Sequence, residues 1–238
     1  MELNDVLAGQ RIMWPLWQGY TIKKHRGVQY LVPDLDASEQ PRLIWYNCAE
    51  MPGELVANAL ELGRLITIDD PSKDYACTDF AARYGLLGLG ADKDTAPVQH
   101  PDLRPSSRLV NSKGYGEELE RFRNVFKSLY QRFSIIGRPE VLPLPKGSDL
   151  LALSGSIGFH MTGATRPQFS WEFSSLEAFL HFAYSALVSS PRKTLKICKN
   201  CGQIYYNINP KSEFCSTRCR NYYNVKVFRE KEKPDTGK

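Results

Sequence analysis

Long apolar runs are absent from this chain. Its 238 residues contain no stretch that approaches the ~18 consecutive apolar residues needed to cross a bilayer. The first residues, 1–5, also lack the basic and apolar segments of a secretory signal. We therefore expect a cytoplasmic protein with no membrane partner.

Sequence features of catalysis are scarce as well. Histidine occurs at only four scattered positions: His25, His100, His160 and His181. Neither a nucleophile elbow nor a phosphate-cradling glycine loop occurs. The adjacent acids Asp69-Asp70 and Glu117-Glu118 are typical of solvated turns or helix starts. We therefore predict that the protein is not an enzyme.

Charge is distributed unevenly along the chain. Residues 191–238 hold 12 of the 31 Lys and Arg residues and only 4 of the 26 Asp and Glu residues, a formal charge of +8 against −3 for residues 1–190. A basic segment beside a near-neutral body favours a polyanionic partner, most often nucleic acid. A basic tail that is merely solvated gives the same count.

Residues 1–190 predict an α+β fold that is mainly helical, with a small β-rich part at its N-terminus. In the β-rich stretch, residues 19–22 and 28–32 flank a polar turn, and residues 42–46 are a third strand candidate. Residues 88–115 and 137–147 predict long connectors, and residues 150–173 are weakly patterned with short strands.

Four helices are predicted in the same part of the chain. One opens at Pro52, a second covers residues 74–84 and ends at Gly85, and a third covers residues 117–136. The third carries an apolar stripe that is typical of core packing: Leu119, Phe122, Val125, Phe126, Leu129, Tyr130 and Phe133. The fourth, residues 176–188, is almost wholly apolar and follows a Ser-rich cap.

Cysteine is sparse but clustered. Four of the six cysteines lie between Cys198 and Cys219, whereas Cys48 and Cys77 are isolated. Clustered pairs in a cytosolic chain favour metal ligands over disulfides. The two isolated cysteines fit small core residues.

The clustered cysteines form two pairs, Cys198-x2-Cys201 and Cys215-x3-Cys219, separated by thirteen residues. A tight turn points both sulfurs of the first pair at one ion, and Gly202 permits that turn. The second pair shares one face of a helix N-terminus, where the helix dipole favours thiolate. We predict a closed, structural zinc site, because four protein thiolates leave no coordination position for a substrate.

The sequence between and after the pairs indicates a treble-clef finger. Residues 203–206 predict a strand, 207–211 hold turn residues, and 216–229 predict a helix. Together with the first cysteine pair they give the order knuckle, hairpin and helix. A module of roughly 40 residues buries too little core to fold without its metal.

The boundary between the two parts falls at residues 189–192, where two serines precede a proline. We place an N-terminal regulatory domain at residues 1–190, the zinc finger at 191–233, and a disordered tail at 234–238.

The stretch 195–229 resembles the CGNR zinc-finger family. The matching features are a basic lead-in and three short motifs: Arg192, Lys193 and Lys196; Cys198-Lys199-Asn200-Cys201-Gly202; Phe214-Cys215-Ser216; and Cys219-Arg220-Asn221. The name-giving Cys-Gly-Asn-Arg of the family is Cys219-Arg220-Asn221-Tyr222 here, so the chain resembles a divergent member.

The resemblance implies a helical, ABATE-like domain in residues 1–190 and a four-cysteine zinc finger after it. The apolar helix before the finger and the turn at 84–88 are also similar to such proteins. Members of the family are regarded as transcription regulators whose finger binds DNA, and the resemblance implies the same role here.

The candidate nucleic-acid contacts lie on the predicted helix that contains Cys219 and directly after it. Arg and Lys would neutralise phosphates, and Asn would reach base edges. The candidates are Arg218, Arg220, Asn221, Asn224, Lys226, Arg229 and Lys231. We predict a DNA-binding transcription regulator with duplex DNA as its partner.

Two other interpretations remain open. Tyr205 and Tyr206 on the predicted hairpin would stack on the bases of RNA or single-stranded DNA. Alternatively, the finger caps the N-terminal domain, contacts another protein or mediates homodimerisation, which the apolar helix at 176–188 favours.

Overall fold

Helices and antiparallel strands make up the part of the chain that the computed structural model describes. The described residues are 3–36, 42–89, 115–136, 157–162, 168–209 and 211–231. Most of the predicted connector at 88–115 and all of the connector at 137–147 lie outside them, as does the predicted tail at 234–238.

The N-terminal region starts with a short helix, α1 (Leu3–Leu7), and a two-stranded sheet. Strand β1 (Met13–Trp17) pairs antiparallel with β4 (Leu43–Asn47). Strand β1 escapes prediction from sequence, because Pro15 cannot donate a ladder hydrogen bond and weakens the strand pattern. Within the described residues β1 pairs with β4 alone. Its other edge is unpaired there, so Pro15 can lie in the strand without breaking the pairing.

A three-stranded sheet follows. Strands β2 (Tyr20–His25) and β3 (Val28–Pro33) form the predicted hairpin, and β5 (Glu117–Glu118) pairs with β3. Arg26 and Gly27 have positive φ angles of 48° and 88°, as the two-residue turn of a twisted hairpin requires. The hairpin prediction is confirmed.

Helix α2 (Pro52–Thr67) is central and packs against α3 (Lys73–Tyr84), α4 (Leu119–Ile136) and α5 (Leu176–Ser189). All four predicted helices are therefore present. The predicted start of the third is wrong: Glu117 and Glu118 form β5, and α4 begins only at Leu119.

The apolar stripe of α4 lies in the core, as predicted. Phe122 and Phe126 are fully buried, and the ring of Phe80 lies 4.7 Å from that of Phe126. Cys48 and Cys77 are 3% and 0% exposed, which confirms them as core residues. Two further strands, β6 (Ile157–Thr162) and β7 (Gln168–Phe173), form a hairpin before α5.

The C-terminal segment, which we define as residues 191–231, contains β8 (Leu195–Ile197), β9 (Ile204–Tyr206) and α6 (Thr217–Lys231). Strand β9 packs on α2, and Ile204 is 2% exposed within the same buried core. No helix in the described ranges is long and apolar enough to cross a membrane.

Candidate metal centre

The four clustered cysteines converge on one point. The sulfurs of Cys198, Cys201, Cys215 and Cys219 all lie within 4.8 Å of one another. The Cys215 Sγ is 3.7 Å from that of Cys201 and 3.5 Å from that of Cys219. A tetrahedron with metal–sulfur bonds of ~2.3 Å spaces its sulfurs roughly 3.8 Å apart. The group could therefore hold a metal ion, whereas a disulfide would need ~2.05 Å.

The first cysteine pair sits on a tight turn at the end of β8. The Cys198 amide donates to the Gln203 carbonyl at 2.9 Å, and the Gly202 amide donates to the Cys198 carbonyl at 2.9 Å. Gly202 has a φ of 74°, which lies in the left-handed region that glycine adopts without strain. The predicted role of Gly202 in this turn is confirmed.

The second pair lies at the start of α6. The Ser216 hydroxyl accepts a 3.2 Å hydrogen bond from the Cys219 amide, and the Ser216 carbonyl accepts one of 3.1 Å from Arg220. Ser216 therefore caps the helix, with Cys215 just before it and Cys219 in its first turn. Because the helix N-terminus carries partial positive charge, it favours thiolate there.

The thiols differ in their tendency to ionise. Burial opposes ionisation of Cys198, but the backbone amides of Cys215, Cys201 and Asn200 outweigh it and lower the pKa of Cys198 to about 6. Burial and the neighbouring thiols raise the pKa of Cys215 to about 12. A divalent cation would remove this conflict, because it stabilises all four thiolates together.

Strand β9 joins the cysteine cluster to α2. The Ile204 amide donates a 3.0 Å hydrogen bond to Glu61 Oε2. The Tyr206 ring lies so close to Gly53 that a Cβ on that glycine would be 2.5 Å from ring carbons. The hairpin that carries the first cysteine pair is thus fixed to the central helix.

The Lys196 side chain contacts the loop between the two cysteine pairs. Its ammonium group donates to the carbonyl of Asn209 at 2.5 Å and to that of Ser212 at 3.0 Å. The Tyr205 hydroxyl donates to the same Ser212 carbonyl at 3.1 Å, and the side chain is only 9% exposed. Tyr205 is therefore buried against this loop, whereas Tyr206 is half-buried and its ring lies against α2.

Helix α6 presents most of its surface to solvent. From Thr217 to Glu230, only Cys219, Tyr223 and Val227 are partly buried, and their spacing of four places them on one inner face. Tyr223 packs against Phe214 with ring centroids 5.2 Å apart.

The predicted nucleic-acid contacts lie on the exposed surface of α6. Six of them have exposed side chains: Arg218, Arg220, Asn221, Asn224, Lys226 and Arg229. Lys231 is the last residue of the helix. The structure thus places these residues on one helix that starts at the cysteine cluster.

A buried carboxylate escaped prediction. Glu117 is 2% exposed, so the expectation that the Glu117-Glu118 pair is solvated is wrong for Glu117. Its Oε1 accepts from the Gly88 amide at 2.5 Å, the Leu89 amide at 2.9 Å and the Tyr115 hydroxyl at 2.9 Å. Its Oε2 accepts from the Leu87 amide at 3.0 Å.

The Glu117 carboxylate joins the backbone of residues 87–89 to the start of α4. Burial raises the pKa of Glu117, while the four donors act in the opposite direction because they stabilise the charged form. A carboxylate accepts about four hydrogen bonds, so these four donors satisfy it. Glu117 therefore holds residues 87–89 against the start of α4.

Comparisons with known proteins give no relative: no family model, no curated protein and no solved structure matches this chain. The resemblance of residues 195–229 to the CGNR fingers stays a prediction. The molecule is a mixed helix–strand protein with a four-cysteine cluster near its C-terminus that could hold a metal ion.

Proposed function

We propose that residues 191–233 form a treble-clef zinc finger that binds duplex DNA through α6, and that residues 1–190 regulate it, so that the protein acts as a transcription regulator. One observation carries the proposal: α6 starts at the cysteine cluster and its residues Arg218, Arg220, Lys226 and Arg229 are exposed. A metal at the cluster would fix the start of this helix, and with it the orientation of the whole basic surface.

Zinc is the metal that the ligand set favours. An all-thiolate tetrahedral site selects zinc or iron. Four sulfurs within 4.8 Å surround a single ion rather than a multi-atom iron–sulfur cluster. All four ligands come from the protein, so the ion is structural, and it would supply folding energy to a segment with little core of its own.

The charge of α6 favours a polyanion. Arg218, Arg220, Lys226 and Arg229 are exposed, whereas Glu230 is the only acidic residue of the helix. A helix fits the major groove of duplex DNA, where Asn side chains reach adenine edges. Asn221 and Asn224 are exposed on the same helix and are the candidates for such base contacts.

A salt-dependent titration tests the proposal. Zinc-loaded full-length protein is added to a fluorescent random duplex at about 50 mM and about 200 mM salt, followed by anisotropy. If about six phosphates are contacted, log affinity falls against log salt with a slope of about −5. Lys226→Ala should reduce the slope by about 1. Lys127→Ala, an exposed lysine on α4, is the matched control and should leave it unchanged. Absence of binding at low salt would reject the proposal.

A second candidate function is contact with another protein through α6. Tyr222, Val225 and Phe228 are 57%, 48% and 60% exposed, and their spacing of three places them along one stripe. Exposed apolar stripes of this kind mark interaction surfaces. If the stripe mediates a homodimer, Val225→Glu should convert dimer to monomer in sedimentation velocity. A wild-type protein that sediments as monomer would reject the homodimer.

A further inference from the structure

A groove of about 820 Å³ lies beside β8. The groove is lined by residues 191–194, by β8 and by Ile208, Ser212 and Glu213, and no residue of β9 lines it. Ile197 and Ile208 line it and are 58% and 59% exposed. The groove therefore offers apolar surface next to a strand edge.

The edge of β8 that faces away from β9 is unpaired within the described part of the chain. The Thr194 carbonyl accepts from the Asn207 amide and the Cys198 amide donates to the Gln203 carbonyl, both towards the β9 side. Main-chain groups of an antiparallel strand alternate in direction. The amides and carbonyls of Leu195 and Ile197 consequently point outwards, where an added strand would pair with them.

The charge around the groove is positive. Arg192, Lys193, Lys196 and Lys199 line it against one acid, Glu213, which already pairs with the Lys199 ammonium at 2.5 Å. None of the described residues that line the groove is aromatic, so they offer no ring for base stacking. An outward strand edge, apolar side chains and excess positive charge together match an acidic polypeptide in extended conformation.

We propose that this groove binds an extended, acidic segment of a partner protein, which adds to β8 as a third strand. Main-chain hydrogen bonds to Leu195 and Ile197 would hold the segment. Its apolar side chains would contact Ile197 and Ile208, and its carboxylates would face Lys193. This surface is separate from the exposed face of α6 and does not depend on the proposed DNA contact.

The test uses a fluorescent peptide of alternating Glu and Val, titrated into zinc-loaded full-length protein. The matched peptide of alternating Lys and Val should bind at least about tenfold more weakly, because like charges then meet in the groove. Ile208→Glu should lower the affinity for the acidic peptide at least about tenfold for the same reason. Ile68→Glu, an equally exposed isoleucine at the end of α2, is the matched control and should leave affinity unchanged.

Hydrogen exchange supplies a second readout that needs no variant. The amides of Leu195 and Ile197 should exchange more slowly when the acidic peptide is bound. Lys226→Ala should lower the affinity for duplex DNA and leave the affinity for the peptide unchanged, so the two proposals can be tested separately. Equal binding of both peptides, unchanged exchange at these two amides, or displacement of the acidic peptide by single-stranded oligothymidine would overturn the assignment.

Discussion

The amide of Ile204 donates a 3.0 Å hydrogen bond to the Glu61 carboxylate. This bond joins the strand between the two cysteine pairs to the central helix α2. The same carboxylate accepts two bonds from the Arg64 guanidinium, at 2.6 and 3.0 Å, which compensate its charge. Order at the cysteine cluster and order at α2 are therefore linked at one defined contact.

Removal of this contact should loosen the C-terminal segment. We expect Glu61→Ala to accelerate hydrogen exchange at the Ile204 amide and to lower the free energy of unfolding by about 1–3 kcal/mol, because a buried donor loses its acceptor. Glu61→Gln retains an acceptor oxygen and should have a smaller effect. Equal exchange rates in wild type and Glu61→Ala would show that the bond does not stabilise the segment.

Metal content should depend on the clustered cysteines alone. We expect about one metal ion per chain in the purified protein and a marked loss in Cys215→Ser, because the hydroxyl is a poor replacement for a thiolate. Elemental analysis measures both. Cys48→Ala is the control, since Cys48 is buried in the core, and it should keep its metal. Retention of the ion by Cys215→Ser would remove that residue from the ligand set.

Acid should destabilise the fold through His181. Burial, with the positive charge of Arg132, lowers the pKa of His181 to about 4, whereas the unfolded chain keeps about 6.5. Between these two pH values the unfolded state binds more protons than the native state. The contribution to the free energy of unfolding that is present above about pH 6.5 is therefore lost as the pH falls towards 4.

His181→Leu should remove that part of the acid sensitivity. The difference between wild type and variant in the free energy of unfolding should change by about 2 kcal/mol from about pH 7 to about pH 5. Urea denaturation at the two pH values measures it. Parallel pH profiles of the two proteins would show that His181 does not titrate as described.

Two glycines of α2 mark close contacts of different kinds. A Cβ on Gly63 would lie 2.1 Å from the Phe126 carbonyl oxygen, which belongs to the backbone of α4. The atoms nearest to a Cβ on Gly53 belong to the ring of Tyr206, which is the outer part of a side chain and can shift. We expect Gly63→Ala to lower the free energy of unfolding by at least about 2 kcal/mol, and Gly53→Ala to cost less. Thermal unfolding of both variants checks the order, and the reverse order would contradict it.

Local patterns predicted the features that depend on neighbours in sequence. The spacing of Cys198, Cys201, Cys215 and Cys219 was sufficient to expect their convergence, because turn and helix geometry fix it. The apolar stripe of α4 was likewise readable from its period. The identity of the metal, the partner and the domain boundary stay predictions.

Contacts between distant residues could not be predicted in the same way. Glu117 is held by amides 28–30 residues earlier in the chain, and nothing in an adjacent pair of acids distinguishes a buried member from a solvated one. The bond from Ile204 to Glu61 spans 143 residues. The exposure of Tyr205 and Tyr206 also depends on tertiary packing, which buries the first and half-buries the second. Single-strand binding stays a prediction.

X-ray absorption at the zinc edge of the purified full-length protein tests the central claim most directly. A closed structural site predicts four sulfur neighbours at about 2.3 Å and no oxygen or nitrogen ligand. Absence of zinc from protein purified with its thiols reduced, or a first shell that includes oxygen or nitrogen, would contradict a site built from Cys198, Cys201, Cys215 and Cys219.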